Sequence, residues 1–569
     1  MPAVEIVIFL LVVAAGLEVL SRRIDVPRPI LLVIAGALLA LMQSMPSVRM
    51  QPSVTFVIFL PPLLYWAAIN TSYREFRQNG RDIMLLAVGL VVATTVAVAA
   101  VAHAICPALS WPAAFALGAA VGPTDAVAAT SLMRRVGVPR TIVSVLEGES
   151  LVNDATSLVI FQMALTAADT GTFALGPSLL RFLWAAGGGV VIGLAAGWCI
   201  ALLRRWLRSP YSKNSVVESS ISLLTPYVAF LAADRAGVSG VLAVVTVGLY
   251  LGHAAPRLLT SSSRIQTINM WEVLDFLLEG LLFILVGLGL PLALAARGVG
   301  TGTSLSSLLI AGSLVSAVVI LMRLVWIFPA TYTPRYVRRR FAGTHDSYPP
   351  WRGVLFSGWA GLRGAVSLVV ALSIPFTTAS GAPFPGRDIV IFLTFTVILV
   401  TLVGQGLTLK PLIRSLGLVP DREEELEEIS ARLQTARAAL ARLEEVGSKS
   451  SADDGDAPDS SETQEQRDNR NVTEQLRHRY THRVHQYIGK SRGVGISESL
   501  DADEIEAESD NRLANSYQWL RKEMIDAERQ QLIQLRDDDE ISDDVLHRVE
   551  RDLDLEEILL TAQPVPIAQ

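Results

Sequence analysis

Long apolar runs, many of 18 or more residues, follow one another through about the first 416 positions of this 569-residue chain, and no other feature constrains the fold as strongly. At 1.5 Å per residue such a run crosses a ~30 Å hydrocarbon core. The pattern predicts an all-α polytopic membrane protein. Spanning helices are expected at about 4–20, 28–42, 53–70, 84–106, 111–134, 142–168, 179–203, 217–235, 238–254, 269–292, 304–329, 354–375 and 388–413. That makes about 13 transmembrane helices. The first run lacks a basic segment before it and a small-residue cleavage site after it, so it reads as a retained helix.

Charge tests this count independently. Residues 421–569 carry 37 Asp+Glu and 19 Lys+Arg, which leaves 17 acidic and 29 basic residues before them. With the N-terminus outside, 22 of those 29 basic residues fall in inner loops, among them Arg134, Arg135, Arg208, Lys213, Arg257 and Arg264. Five fall outside: Arg49, Arg181, Arg235, Arg297 and Arg387. Arg323 and Arg363 lie within apolar runs. The bias follows the positive-inside rule and alternates loop by loop, which puts the acidic C-terminal part in the cytoplasm and the chain in the cell membrane. Cys106 and Cys199 both sit in apolar runs, which excludes a disulfide framework and a Cys-based metal site.

Two domains are expected: a transmembrane domain over 1–416 and an acidic cytoplasmic regulatory tail over 417–569, partly helical and partly disordered. Leu426, Ile429, Leu433, Ala436, Leu440 and Leu443 recur at a/d spacing, so 421–446 reads as coiled-coil-like. Residues 447–470 have the composition of a linker, and amphipathic helices are expected near 472–488, 511–536 and 540–560. Charge runs such as RDDDE at 536–540 read as solvated faces.

Within the membrane part, Asp125, Glu149 and Asp154 are the acidic residues that do not fall at helix ends or in loops. Each costs roughly 2.5–3.5 kcal/mol at a helix centre, so such residues face cavities or partners. A buried ion pair is the plainer use of one carboxylate, but it does not account for three. In EGESLVNDATSLVIF, Asp154 and Ser150 share a helix face, while Glu149 and Asn153 form the neighbouring i, i+4 pair. The depth of Arg323 in its own helix matches that of Glu149, so the two are expected to pair and Asp154 is left uncompensated. Glu147 lies nearer the inner surface, as a funnel residue or a wetted helix start. In ALGAAVGPTDAVAAT, Pro123 removes a donor and Gly122 permits unwinding just before Thr124 and Asp125. SGWAGLRGAVS, around Arg363, is a matching interruption in the second half. Paired interruptions are the mark of inverted repeats with two interrupted crossing helices, whose freed backbone lines an ion site.

These segments, GPTDAVAAT, EGESLVNDATSLVIF and GWAGLRGAVSLVVAL, resemble the signatures of bacterial NhaP-like sodium/proton antiporters of the monovalent cation/proton antiporter-1 family, relatives of the animal sodium/hydrogen exchangers. The resemblance covers about residues 1–416. It implies a thirteen-helix homodimer with a dimerisation domain and a mobile core. It implies that Asn153 and Asp154 are central to transport and that Na+ binds at Asp154, Asp125, Thr124 and Ser150. It also pairs Glu149 with Arg323 as a structural ion pair and matches Arg363 to the family's GLRG arginine. One departure stands out. Many relatives have LPPLLFEAA on the third helix where this chain has LPPLLYWAA, so Trp66 occupies the place of a carboxylate.

The reading is a secondary-active monovalent cation/proton antiporter that needs no cofactor. A hard cation and a proton compete for Asp154 by alternating access, and neutral Asn153 favours one-for-one, electroneutral Na+(Li+)/H+ exchange. The partners expected are monovalent cations, protons, the lipid bilayer and a second copy of the chain, and no nucleic acid. A K+/H+ antiporter of the same fold is the alternative cation choice. An intramembrane aspartyl protease would use Asp125 and Asp154 but lacks its Gly-x-Gly-Asp type motif. A channel or membrane scaffold would show no flux coupled to an opposing pH gradient.

Overall fold

The computed structural model describes residues 3–24, 26–42, 52–126, 129–130, 133, 136–171, 175–207, 215–289, 305–341, 348–378, 381–419, 422–453, 464–491 and 511–562. Arg49, Arg134, Arg135, Arg208, Lys213 and Arg297 of the charge pattern lie outside these residues, as does 454–463 of the expected linker. Among the described residues every regular element is a helix, with one isolated β-bridge between Thr377 and Pro383. Among them, seven helices are long and apolar enough to cross a membrane: Gly80–Ile105, Arg140–Thr170, Leu180–Leu207, Ser215–Arg235, Gly240–Leu258, Ser306–Phe341 and Arg387–Leu416. The helices Arg28–Ala40 and Trp111–Val121 are shorter and equally apolar.

The chain separates into two compact units. One holds residues 1–255 and 268–420, the other residues 256–267 and 421–569. In the first, Ala113, Ala116, Ala119 and Ala120 of helix Trp111–Val121 are fully buried among Val98, Val315, Val390 and Leu393. Small side chains allow this close helix packing, which in lipid replaces the hydrophobic drive available in water. Ser110 caps that helix by accepting from Ala113 N, with Pro112 in its first turn. Helix Arg140–Thr170 starts after Pro139 and ends at Gly171, whose φ of 69° forms a left-handed C-cap.

Both expected interruptions are present. The first helix stops at Val121, the backbone runs unwound through residues 122–126, and Ala129 and Thr130 are again helical. The second stops at Trp359 and resumes at Ala365. Short π-helical segments at Leu85–Leu90 and Val400–Gln405 interrupt two of the long spans.

The second unit is a small helical bundle. Helix Arg422–Asp453 runs further than the expected 446, and the next helix, Gln464–Ser491, begins before the expected 472. Helical geometry therefore occupies both ends of the segment read as a linker. The C-terminal part of the leucine stripe packs within the chain: Ala436 and Leu443 are buried against Val472, Leu476, Tyr480, Leu520 and Met524, whereas Leu426 at its start is 52% exposed. That part of the stripe is covered by helices Gln464–Ser491 and Asn511–Asp537, and a second patch around Ala431 is covered by Val545, Leu546 and Val549 of helix Asp543–Ala562.

Candidate ion-binding site

The two interruptions meet. Asp125 N donates to Leu362 O at 2.8 Å, joining the unwound strand of one to the unwound strand of the other. A Cβ added at Gly364 would lie 1.6 Å from Asp125 Oδ2, so the carboxylate lies directly against the glycine. A Cβ at Gly361 would lie 2.2 Å from Arg323 Cδ. Each residue of GLRG therefore has a separate task. Gly361 admits Arg323, Leu362 supplies a carbonyl to Asp125, and Gly364 admits the Asp125 side chain.

Arg363 has the fourth task. It is fully buried, with Nε donating to Val121 O at 2.7 Å and Nη1 to Gly361 O at 3.1 Å. Val121 ends helix Trp111–Val121, where free carbonyls carry the negative end of the helix dipole. The guanidinium satisfies those acceptors where Pro123 has stopped the helix. Thr401, in the π-helical segment, receives Arg363 N at 3.2 Å and fixes the arginine's backbone.

Helix Arg140–Thr170 supplies the acidic side. Arg323 Nη1 and Nη2 donate to Glu149 Oε1 and Oε2 at 2.5 and 2.9 Å, a bidentate pair with both residues 1% exposed. Glu149 Oε1 also accepts from Thr124 Oγ1 at 2.7 Å. Asn153 Nδ2 donates to Thr124 O and Oγ1, both at 3.0 Å. Ser150 Oγ accepts from Ala126 N at 3.3 Å, and Ser157 Oγ donates to Ala119 O at 2.6 Å. The one-turn spacing of Glu149, Ser150, Asn153 and Ser157 thus holds the broken helix along its length.

Asp154 stands apart from this network. It is 7% exposed and makes no hydrogen bond or ion pair with any described residue; the charge that acts on it is Asp125. The structure therefore places Asp154, Asp125, Thr124 and Ser150 at one break, with Thr124 and Ser150 also serving as struts. A hydroxyl has two lone pairs, and each strut uses one of them to accept a hydrogen bond, so one remains for a cation. Asn153 gives its amide hydrogens to Thr124 and acts as a brace. Glu147, two residues before Glu149 on the same helix, is half-buried.

Replacing Glu149 with Gln leaves Arg323 buried without its counter-charge, a loss of about 3–5 kcal/mol for such pairs in soluble proteins. We expect Glu149→Gln to lower thermal stability in detergent markedly, and Glu149→Gln with Arg323→Met to regain part of it. A double variant no more stable than the single one would show that the partners are not coupled.

Two features escaped the sequence reading. First, the set of three internal carboxylates is incomplete. Asp275 and Glu279 lie inside the expected span 269–292, and Glu279 Oε2 is 3.5 Å from Arg28 Nη2 with its side chain 14% exposed. Arg28 also lies 4.0 Å from Glu18, donates to Phe276 O at 2.7 Å and sits over the Phe276 ring. The i, i+4 spacing of Asp275 and Glu279 within an apolar run was the available signal. Second, Trp66 stacks on Trp271 at 5.9 Å and 7° between planes, and Trp271 Nε1 donates to Ser222 Oγ at 3.0 Å. The carboxylate position on the third helix is filled by an aromatic joint linking three helices.

Crossed helix breaks flanked by intramembrane carboxylates and a buried arginine define a secondary transporter. The transmembrane sodium/hydrogen exchanger family matches residues 7–415, and the chain belongs to that family. An uncharacterized Na+/H+ exchanger of Mycobacterium tuberculosis is 34% identical over 559 residues, covering 98% of this chain and 96% of that protein. A sodium, potassium, lithium and rubidium/H+ antiporter of Bacillus pumilus is 33% identical over 403 residues, covering 70% of this chain and 59% of its own length. The sodium proton antiporter MjNhaP1 of Methanocaldococcus jannaschii shares the fold, with a TM-score of 0.55 at 21% identity over 71% of this chain and 98% of that one. Family and fold together support monovalent cation/proton exchange across a membrane.

Proposed function

We propose that the chain is an electroneutral Na+(Li+)/H+ antiporter of the cell membrane, in which one cation and one proton compete for Asp154. The observation that carries this reading is the contrast within one helix, five residues apart: Glu149 takes Arg323, while Asp154, 7% exposed, takes no described partner. A carboxylate in that position holds either a proton or a hard cation. Asp125, the remaining lone pairs of Thr124 and Ser150, and carbonyls freed at the break supply the other oxygen ligands. Thirteen spans with the N-terminus outside, a homodimeric assembly and a cytoplasmic tail complete the proposal.

K+/H+ exchange is the second reading, and Trp66 is the observation that favours it. A site with one carboxylate fewer discriminates less between hard cations, and the Bacillus pumilus relative is named for sodium, potassium, lithium and rubidium. Flux measured in proteoliposomes with Na+, Li+ and K+ in turn decides between them, and absence of any cation-coupled proton flux defeats both.

Electroneutrality has its own test. Asn153 is committed as a donor to two oxygens of Thr124, so the residue beside Asp154 carries no proton in the cycle. Na+-dependent proton flux is expected to be unchanged when a potassium–valinomycin potential is imposed. One elementary charge moved across 100 mV is worth ~2.3 kcal/mol, so an electrogenic cycle would shift visibly. A voltage-dependent equilibrium would mean a second proton carrier, with Asp125 and Glu279 the residues to replace first.

A further inference from the structure

Residues 256–267, the elbow between helices Gly240–Leu258 and Ser261–Leu288, belong to the same compact unit as the acidic tail. Their charged side chains read as an ordinary basic inner loop, yet Arg264 is 6% exposed. Its Nε and Nη2 donate to Asp554 Oδ2 and Oδ1 at 2.6 and 2.7 Å, and Nη1 lies 2.8 Å from Glu550 Oε1. Asp554 and Glu550 are 1% and 2% exposed. Arg529, on helix Asn511–Asp537, donates to Asp554 Oδ1 at 2.9 Å, Glu557 Oε2 at 2.8 Å and Ser261 Oγ at 2.8 Å. Ser261 in turn donates to Glu557 Oε2 at 2.5 Å, and Arg257 pairs with Asp537 at the rim.

We propose that the tail restrains the exchanger through this ionic clasp on the elbow, and that the clasp slackens as the cytoplasm becomes alkaline. The inference rests on the exchanger reading above. Its mechanical basis is connectivity. The tail is joined by residues 417–421 to helix Arg387–Leu416, whose Thr401 supports Arg363. It also grips the start of the helix that carries Trp271, Asp275 and Glu279. A transport cycle that shifts one of these helices against the other works against the clasp. A bidentate, buried Arg–Asp contact is a strong non-covalent hold and loses its partner abruptly when broken.

The pH sense follows from charge. Arg264 and Arg529 face three carboxylates, Glu550, Asp554 and Glu557, and Arg264 gives its two hydrogen bonds to Asp554 while Glu550 accepts none from it. Burial, opposed by Arg264 and reinforced by Asp554, pushes Glu550 up to about 7, with Arg529 and Arg536 also acting on it. His547, on the same helix and facing Asp543, Asp544, Arg264 and Arg536, is held below its ordinary value mainly by burial. A carboxyl group whose pKa is raised in the docked state contributes stability in full below its ordinary range. That contribution is lost as pH rises through about 7, so alkalinisation loosens the clasp.

The test uses the full-length protein in proteoliposomes, with Na+-driven proton flux followed from pH 6 to pH 8.5 and amide hydrogen exchange read over 543–562. Arg264→Gln and Asp554→Asn break the same contact from opposite sides. Both are expected to raise flux at pH 6.5 by ~5-fold and to flatten the pH profile. Exchange of the 543–562 amides is expected to quicken by ~10-fold or more. Glu550→Gln mimics the protonated acid and should keep flux low at pH 8.5, where the unaltered protein accelerates. Ser261→Ala removes one hydroxyl and should produce a weaker form of the release. If either charge variant fails to reach the bilayer, these last two decide. Faster amide exchange with unchanged flux, or unchanged amide exchange in Arg264→Gln or Asp554→Asn, overturns the proposal. Absence of coupled flux in the unaltered protein would instead defeat the exchanger reading, while the amide exchange would still report on the clasp.

Discussion

Asp154→Asn is expected to reduce cation-coupled proton flux to that of empty liposomes while leaving a folded, monodisperse protein. The amide is nearly isosteric with the carboxylate, and no described residue donates to or pairs with Asp154, so no bond in the fold is broken. What disappears is the titratable group and the negative charge that draws a cation out of water. The comparison with Glu149→Gln makes the test specific. Both changes neutralise one carboxylate on the same helix, five residues apart. One removes a bidentate partner from Arg323 and is expected to cost stability. The other is expected to cost transport alone. Retained exchange in Asp154→Asn would remove that residue from the mechanism and make Asp125 the carrier to examine. A large fall in stability would mean that Asp154 has a structural partner.

The chain's local grammar made much of this site legible. Gly122-Pro123 stops a helix by its own chemistry, and the spacing of Glu149, Ser150, Asn153 and Asp154 divides them between adjacent strips of one helix before any tertiary contact is known. The depth argument for Glu149 and Arg323 worked because helical rise is fixed. What stayed hidden depends on crossings. Arg363 finds Val121 O across 242 positions of chain, and only the meeting of two broken helices explains why an arginine is needed between two glycines. Trp66 looked like a ligand lost, while its actual neighbour, Trp271, lies on a helix whose approach no periodicity reports. The reading of the charge run 536–540 as a solvated face held for 537–540 and failed for Arg536, which is 4% exposed, and further along the acidic tail Glu550 and Asp554 are buried as well. Nothing in an acidic amphipathic helix announces that an arginine nearly three hundred residues earlier will be buried against it.

Gly364→Ala is expected to abolish most transport, although it is among the smallest changes the chain can suffer. The backbone there, at φ −109° and ψ −164°, is extended and open to any residue, so conformational strain is not the cause. The cause is space. A methyl group 1.6 Å from Asp125 Oδ2 and 2.4 Å from its Cγ cannot coexist with that carboxylate. Something must move. Rotating Asp125 takes the proposed cation ligand away from Asp154, while separating the strands stretches the bond from Asp125 N to Leu362 O that joins the two breaks. Overpacking of this kind typically costs ~1–3 kcal/mol. A protein that tolerates such a loss would remain folded with its site misassembled, and a fall in flux of at least ~10-fold is expected. Gly404→Ala is the matched control. Gly404 lies in the π-helical segment that also contains Thr401, and an added Cβ there meets nothing within 4 Å. Flux in Gly404→Ala should stay close to that of the unaltered protein. If Gly364→Ala transports as well as Gly404→Ala, then Asp125 works from a position other than the one it occupies beside Gly364, and the junction of the two breaks is not where the cation sits.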